Sequence, residues 1–322
     1  MIITQSQRLN FKQLALKREA FIYYIFFAVL LIFAVALHDT AFLSVNNFMN
    51  IIRQTAPVTI MAIGLTFALA VGHIDLSIGS VVALSALVGA LLLQHTGIPL
   101  AIAGALLVGI TIGLINGLLI ERLQVSSLLI TLGTMGVVTG LARQLTNLES
   151  VPIINQDFTF FFGAGEVWGI PVLLIWTLAI ALVAFVVLNN LAFGRHLLAA
   201  GGSPKAARAM GINVVRVRLT ALVISSSAAA LAGLLYAGRL HGARYTLGEA
   251  DLLTVIAAVA IGGTSLFGGR ASIIGAILGS LLMGMINNGL ILSGFSTNEQ
   301  MIARGIILII AVAIGIKELK NG

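Results

Sequence analysis

The sequence predicts an all-α polytopic membrane protein with about ten transmembrane helices, and three observations lead to this fold class. Hydrophobic residues make up 59% of the 322 residues, whereas charged residues make up only 9%. Soluble domains carry about 25% charged residues, so this chain has too few to cover a water-facing surface. Mean hydropathy is +1.09, and the apolar residues fall in runs near the ~20 residues that cross a bilayer core.

The apolar runs follow one another along the whole chain, so residues 1–322 are expected to form a single transmembrane domain. The predicted spans are 21–37, 53–72, 77–94, 98–120, 124–146, 171–189, 219–238, 251–267, 272–292 and 300–316. Glycine dilutes the hydropathy over 262–269, which makes the end of the eighth span the least sharply defined.

Basic residues predict the orientation of the spans. Residues 1–20 form a basic N-terminal arm, and no small-residue cleavage site follows it, so the first span is expected to be retained. With this arm in the cytoplasm, most of the 18 Lys and Arg residues fall on the inner side, whereas most acids fall outside. Inner loops of membrane proteins are enriched in Lys and Arg, so both termini are predicted to be cytoplasmic.

Two connections between spans are long. The outer loop 147–170 holds the aromatic run Phe158–Phe162 and Trp168, which is typical of a segment at the membrane interface or of an interfacial aromatic belt. The inner loop 190–218 is basic and contains the segment 200–212. In that segment Ser203 can cap a helix, Pro204 suits its first position and Gly211 suits its end, so a helix is predicted over 204–210.

The role of this short helix has two interpretations. Its small residues, Ala206, Ala207 and Ala209, would let it seat in the groove of a partner protein. Alternatively, Lys205 and Arg208 would bind anionic lipid headgroups, as in an ordinary amphipathic loop helix.

Residues 72–77 put an imidazole and a carboxylate, His73 and Asp75, between two apolar spans with no room for a soluble loop. One interpretation is a tight hairpin on the cytoplasmic side, with Asp75 or Ser77 capping the next helix. The other is a helix break inside the protein that lines a pathway.

Glycine is concentrated in the segment 261–270, with Gly262, Gly263, Gly268 and Gly269. This density exceeds what helix packing needs and suggests a turn or a moving joint. The pairs Gly109/Gly113 and Gly275/Gly279 have the small-xxx-small spacing, for which close helix packing is the expected explanation.

The other polar residues inside the spans are neutral, among them Asn116, Asn287, Asn288 and Ser225–Ser227. They suit a pathway for a neutral, hydroxyl-rich solute, and equally suit hydrogen bonds between helices. No titratable residue falls clearly at mid-membrane, which argues against a proton- or sodium-coupled carrier.

Three motifs together resemble the permease subunits of bacterial ABC importers of the ribose/xylose/galactose type. They are GHIDLSIGS at 72–80, AAGGSPKAARAMGI at 199–212 and IGGTSLFGG at 261–269, and the segment Asn287–Leu290 also fits. The similarity runs from about residue 40 to the C-terminus. It implies the fold of the vitamin-B12-importer type in a bacterial inner membrane.

The resemblance also implies partners: a second permease subunit, a cytoplasmic ATPase that binds ATP and Mg, and an extracytoplasmic sugar-binding protein. It makes residues 200–212 the coupling helix, with Gly201, Gly202, Ser203, Lys205, Ala206, Ala207 and Gly211 as ATPase-coupling candidates, and Ala207→Asp as an uncoupling change. Pathway or hinge candidates are Asp75, Ser77, Gly79, Gly262, Gly263, Thr264, Gly268, Gly269, Asn287 and Asn288. Candidates for docking the binding protein are Arg239, Arg244, Glu249 and Asp251.

The chain departs from this family's pattern at three places. Ser203 replaces a common Asn, which caps a helix equally well, and His73 replaces a glycine. Leu252-Leu253-Thr254 stands where Glu-Leu-Asp is common, which affects the inferred substrate more than the fold.

The chain has no phosphate-binding GxxxxGK[ST] loop, so we expect no ATPase site, no catalytic residues and no bound cofactor or metal in it. The predicted function is the permease subunit of an ABC importer for a pentose- or hexose-like sugar. The alternative is a secondary carrier or channel for a small neutral polar solute. A membrane-embedded enzyme lacks support, because neither GxSxG nor HExxH occurs.

Overall fold

A computed structural model describes residues 22–320 as a bundle of helices. The helices are α1 (Ile22–Ala36), α2 (Val45–Ala70), α3 (Ile78–His95), α4 (Ile98–Leu123), α5 (Ser127–Thr146), α6 (Gln156–Thr159), α7 (Val172–Asn189), α8 (Ala192–Gly202), α9 (Pro204–Ala209), α10 (Val214–Leu240), α11 (Leu252–Ile261), α12 (Ile273–Leu292) and α13 (Thr297–Lys320). The predicted N-terminal arm, 1–20, lies outside the described residues.

Within the described residues, seven helices are long and apolar enough to cross a membrane, namely α2, α3, α4, α5, α7, α10 and α12. Each coincides with a predicted span, although α2 begins eight residues before the predicted start at residue 53. The helices α1, α11 and α13 coincide with the remaining three predicted spans. The apolar runs therefore located the seven long helices, and each of the other three predicted spans contains a helix.

Helix α2 lies at the centre of the bundle, with most of its length buried. Helix α10 packs along α4 because glycines on α4 let the two backbones approach. A Cβ on Gly109 would collide with the carbonyl of Ser226, and one on Gly113 would lie 2.7 Å from the Cα of Val223. The predicted packing role of the Gly109/Gly113 pair is confirmed, and close approach of this kind is how helices pack where lipid surrounds them.

Helix α11 is shorter than the predicted span 251–267, because it ends at Ile261. Gly263 has φ +88°, a left-handed conformation that glycine adopts readily and that ends a helix. Gly275 and Gly279 on α12 pack directly against α11, at Gly262 and Ala258. The ten residues of α11 rise only about 15 Å along the helix axis. Non-helical residues on both sides of α11 therefore make up the rest of this segment's path through the bundle.

The connection 147–170 is ordered by two short antiparallel pairs. Strand β1 (Val151–Pro152) pairs with β4 (Gly242–Ala243), and β2 (Glu166–Val167) pairs with β3 (Ile170–Pro171). We call this side of the bundle the β1 end and the opposite side, where α9 lies, the α9 end.

The aromatic run in this connection is divided between two environments. Phe158 and Phe162 are buried and stacked, with ring centroids 4.9 Å apart, whereas Phe160, Phe161 and Trp168 are exposed. The run therefore anchors the connection to the bundle with two rings and leaves the others on the surface.

Candidate functional site

Helix α9 forms as its sequence predicts. The hydroxyl of Ser203 accepts the Ala206 N–H at 3.4 Å, and Pro204 occupies the first helical position. Gly211 has φ +82° and its N–H donates to the Arg208 carbonyl, so the helix ends there. The result is a short, defined helix that follows α8 directly at the α9 end.

Ala207 does not lie on the outward face of α9, where an ATPase-coupling residue was expected. Ala207 is only 4% exposed and packs with Leu197 and Val214 in an apolar cluster. It therefore faces the bundle, and Ala207→Asp would bury a carboxylate rather than alter a docking surface cleanly. The outward face carries exposed residues: Gly202, Ser203, Lys205, Ala206, Arg208, Ala209, Met210 and Gly211.

Met210 is the side chain on this face that the sequence reading missed. It is 82% exposed, although it is large and apolar. The sequence does contain a clue to this exposure. Met210 comes one residue before the glycine that ends the helix, where a side chain projects from the end of a protruding helix. Met210 is therefore the large apolar side chain on the outward face of α9.

Four glycines from the three sequence motifs meet at the α9 end, and we call them the glycine junction: Gly72, Gly201, Gly268 and Gly269. The Gly269 N–H donates to the Ala70 carbonyl at 2.9 Å. A Cβ on Gly201 would collide with that carbonyl and with the Gly269 backbone. The motifs thus form one close backbone contact among α2, α8 and the loop after α11.

The loop 262–272 is a closed turn held by its own polar groups. Thr264 is buried, and its hydroxyl accepts the Ser272 N–H at 3.2 Å. The Ser265 N–H donates to the Arg270 carbonyl at 3.1 Å. The predicted turn is present, and Gly262 serves close packing against Gly275.

Asp75 is fully buried and both of its oxygens are hydrogen-bonded. Oδ1 accepts the N–H of Ser77 at 3.0 Å and its hydroxyl at 2.6 Å, and Oδ2 accepts the hydroxyls of Ser225 at 2.9 Å and Ser226 at 3.4 Å. The Ser77 hydroxyl also accepts from Asn116 at 3.0 Å. Asp75 therefore joins the start of α3 to α10.

The break over 71–77 lies inside the protein instead of forming a surface hairpin. Side chains of α5 satisfy its backbone: Ser127 accepts the Ile74 N–H at 3.0 Å, and Thr131 accepts the Leu76 N–H at 3.1 Å. Buried backbone N–H groups outside a helix require such partners. Ser77 precedes α3 without capping it by its side chain, and Gly79 packs against the Gly248 carbonyl.

A buried charged cluster lies beside this break. The His73 Nε2 is 3.6 Å from the Glu121 Oε1, which is 3.4 Å from the Arg218 Nη1. Burial, and secondarily the charge of Arg218, lowers the pKa of His73 to about 4. The imidazole is therefore neutral at pH 7, and its Nε2 has no hydrogen-bond partner among the described residues.

A polar cavity of about 480 Å³ opens at the β1 end between α2, α10, α11, α12 and α13. We call it the outer cavity. The Tyr236 hydroxyl donates to the Asp251 Oδ2 at 2.5 Å, and Arg304 donates to the Asn287 Oδ1 at 3.0 Å. A larger cavity of about 750 Å³ between α3, α4 and α5 has an almost wholly apolar lining, which suits lipid tails rather than a polar solute.

The structure separates predicted site residues that are neighbours in sequence. Asn287 lines the outer cavity, whereas Asn288 forms a reciprocal amide pair with Asn47 at 2.9 Å. Of the predicted docking residues, Arg239 and Asp251 line the outer cavity, whereas Arg244 and Glu249 are exposed on the adjoining loop. Asp75, Ser77 and Gly79 are not among the residues that line this cavity.

Comparison with known proteins identifies relatives over most of the chain. The family described as branched-chain amino acid transport system / permease component matches residues 47–312. The ribose import permease protein RbsC of Haemophilus influenzae is 37% identical over 291 residues, covering 88% of this chain and 89% of the relative.

Two further relatives are named for other sugars. The D-allose transport system permease protein AlsC of Escherichia coli is 36% identical, with 90% of each chain covered. The L-arabinose ABC transporter permease protein AraH of Azospirillum brasilense is 36% identical, covering 84% of this chain and 80% of the relative. No solved structure matches the chain.

Proposed function

The chain belongs to the permease-component family of the branched-chain amino acid transport system type, and from this membership we propose that it carries a simple sugar as the membrane subunit of an ABC importer. The family description alone would admit amino acids as substrates. Relatives that align over most of both chains are instead named for ribose, allose and arabinose. A separate ATPase and an extracytoplasmic sugar-binding protein complete the importer.

The structural observation that supports the importer proposal is that close backbone packing links α9 to the walls of the outer cavity. Helix α9 follows α8, and Gly201 of α8 touches both the end of α2 and the loop after α11 at the glycine junction. Helices α2 and α11 also line the outer cavity at the β1 end. A displacement of α9 by a cytoplasmic ATPase would therefore be transmitted to two walls of a polar cavity, since close-packed elements move together.

We further propose ten spans with both termini in the cytoplasm, in the fold of the vitamin-B12-importer type. The basic residues Arg195, Lys205, Arg208 and Arg216 belong to the connection around α8 and α9, which supports a cytoplasmic α9 end. The outer cavity and the β1–β4 pairing would then face the binding protein. Arg244 and Glu249 are exposed there and are the proposed contacts for docking.

The experiment that tests the coupling proposal is purification of the chain from its native membrane in mild detergent, with mass spectrometry of the proteins that accompany it. Wild type should bring down a stoichiometric ATPase. Met210→Glu should lose most of it, because the change puts a carboxylate in place of the exposed apolar side chain, whereas the matched control Met210→Leu should retain it.

Two results would contradict the proposal. A folded wild-type chain that reproducibly purifies alone would favour a carrier without an ATPase. Equal ATPase recovery with Met210→Glu and Met210→Leu would move the docking surface away from α9.

A further inference from the structure

We propose that the apolar cavity between α3, α4 and α5 holds one acyl chain of an anionic phospholipid, and that Arg122 binds the phosphate of its headgroup. We call this cavity of about 750 Å³ the acyl slot. The inference goes beyond the proposed function, because it assigns to this subunit a lipid ligand that is separate from the transported sugar.

The acyl slot runs lengthwise between the helices. On α4 its wall extends from Gly104 to Leu119, a rise of about 22 Å, and on α5 it extends from Leu129 to Leu141, a rise of about 18 Å. The cavity volume spread over this length gives a mean width of about 6–7 Å, whereas a helix with its side chains is about 10–12 Å across. An extended hydrocarbon chain therefore fits the slot, whereas a helix of a second copy of this chain is too wide for it.

The slot is deeper than the ordinary surface between two neighbouring helices. Its floor includes residues that the bundle buries, namely Leu84, Ile112 and Val138. Its rim includes the exposed side chains of Leu107 and Val137. A bound chain therefore contacts three helices at once, and these many small contacts hold it more firmly than a lipid that touches only the outside of the protein.

The lining of the slot excludes a polar ligand. Only two of its sixteen lining residues, Thr111 and Thr134, carry a polar side-chain atom, and none of the sixteen is charged. The Thr134 hydroxyl already donates to the Asn116 Oδ1 at 2.6 Å, so it is satisfied within the protein. A sugar in this slot would lose hydrogen bonds to water without replacing them, whereas a hydrocarbon chain has none to lose.

Arg122 indicates which kind of headgroup accompanies the chain. It comes three residues after Leu119 on α4, so helical periodicity puts it beside the slot, one turn nearer the α9 end. Arg122 is exposed and has no hydrogen-bond or ion-pair partner among the described residues, whereas the adjacent Glu121 is paired with Arg218 at 3.4 Å. Basic residues at a membrane surface attract anionic lipids, so the free guanidinium group fits a lipid phosphate.

The test counts the phospholipids bound to the detergent-purified chain by native mass spectrometry. The chain is stripped of lipid and then titrated with palmitoyl-oleoyl phosphatidylglycerol, which is anionic, or with the corresponding phosphatidylcholine, which has no net charge. Wild type should bind one phosphatidylglycerol more tightly than any further ones. Gly133→Leu should weaken this first site at least tenfold, because Gly133 lines the slot and has nothing within 4 Å of an added Cβ, so the new side chain takes the space of the ligand.

Gly136→Leu is the matched control. Gly136 is on the same helix and also has nothing within 4 Å of an added Cβ, but it is not among the residues that line the slot. This variant should bind phosphatidylglycerol as wild type does. Arg122→Gln should lower the affinity for phosphatidylglycerol about fivefold, the factor for one basic residue near an anionic membrane surface, and should leave the affinity for phosphatidylcholine unchanged.

A second measurement locates the chain on wild type and does not depend on how well a variant folds. Phosphatidylglycerol that carries a diazirine on its acyl chain is cross-linked to the protein by light, and the labelled peptides are identified. The cross-links should concentrate in residues 104–119 and 129–141, which form the walls of the slot on α4 and α5.

Four results would overturn the inference. Cross-links spread evenly over other lipid-exposed helices, such as α7, would show that the slot holds no chain. Equal lipid binding by Gly133→Leu and Gly136→Leu would put the lipid elsewhere. A change of oligomeric state in Gly133→Leu without loss of lipid would mean that a second copy covers the slot. Equal affinity of wild type for the two lipids would remove the assigned role of Arg122. Each of these results leaves the importer function standing, because that function is tested by recovery of the ATPase.

Discussion

Gly201→Ala tests the glycine junction in a form that can be worked from the structure. The added methyl group would collide with the Ala70 carbonyl and with the Gly269 N–H that donates to it. Overpacking of this kind costs about 1–3 kcal/mol, and weakening one hydrogen bond adds about 1 kcal/mol. Alanine gains about 1 kcal/mol over glycine within a helix, so the net loss of stability is about 1–3 kcal/mol.

The matched control is Gly133→Ala on α5, which also lies within a helix but has nothing within 4 Å of its added Cβ. This variant should be as stable as wild type or more so. The assay is thermal unfolding of the detergent-purified chain, followed by the fluorescence of its two tryptophans. Each kcal/mol corresponds to about 2–4 °C in a protein of a few hundred residues.

A Gly201→Ala variant with the wild-type melting temperature would refute the close contact at the glycine junction. A Gly133→Ala variant that melts at a lower temperature than Gly201→Ala would refute the argument that the surroundings of a glycine decide whether its replacement by alanine raises or lowers stability. If the junction also transmits motion, Gly201→Ala should lower sugar uptake relative to ATP hydrolysis, while Gly133→Ala should leave this ratio unchanged.

Two further outcomes are expected from the break over 71–77. Asp75→Ala should destabilise the chain by several kcal/mol, since it leaves the Ser77 N–H and the Ser225 hydroxyl without an acceptor at about 1–3 kcal/mol each. Asp75→Asn keeps one acceptor oxygen and should therefore lose less stability. Equal melting temperatures for the two variants would contradict this prediction. Folding lowers the pKa of His73 from 6.5 to about 4. As the pH drops below 6.5, the unfolded state therefore binds a proton that the folded state does not yet bind. The free energy of unfolding should fall by up to ~3 kcal/mol between pH 6.5 and pH 4. Thermal unfolding at stepped pH should show a shallower fall for His73→Gln, and parallel pH profiles for the two proteins would contradict the assignment.

The sequence predicted the helices well because membrane spans are defined by local composition. The end of α11 was the exception. Leu266 and Phe267 kept the hydropathy high beyond Ile261, so the apolar run continued where the backbone had already turned at Gly263. Helix α9 was predicted to within one residue, 204–210 against Pro204–Ala209, because its cap, its first proline and its terminal glycine all act locally.

The composition of the outer cavity could not be predicted, because its walls combine α2 with the four later helices α10 to α13. Asn287 and Asn288 differ by one position, and only the packing of α12 decides which one faces the cavity. The burial of Ala207 has the same cause: the sequence predicts that α9 is helical, but its inner face depends on Leu197 and Val214 of other elements.

The short helix α11 has a consequence for the synthesis of the chain. Leu252–Ile261 covers about 15 Å, half of a hydrocarbon core of ~30 Å, so it is too short to be inserted as an independent span. Tyr236 of α10 donates to Asp251 at its start, and Gly262 at its end packs against Gly275 of α12. Because its packing partners include α12, α11 is expected to reach its final place in the bundle only after α12 has been made.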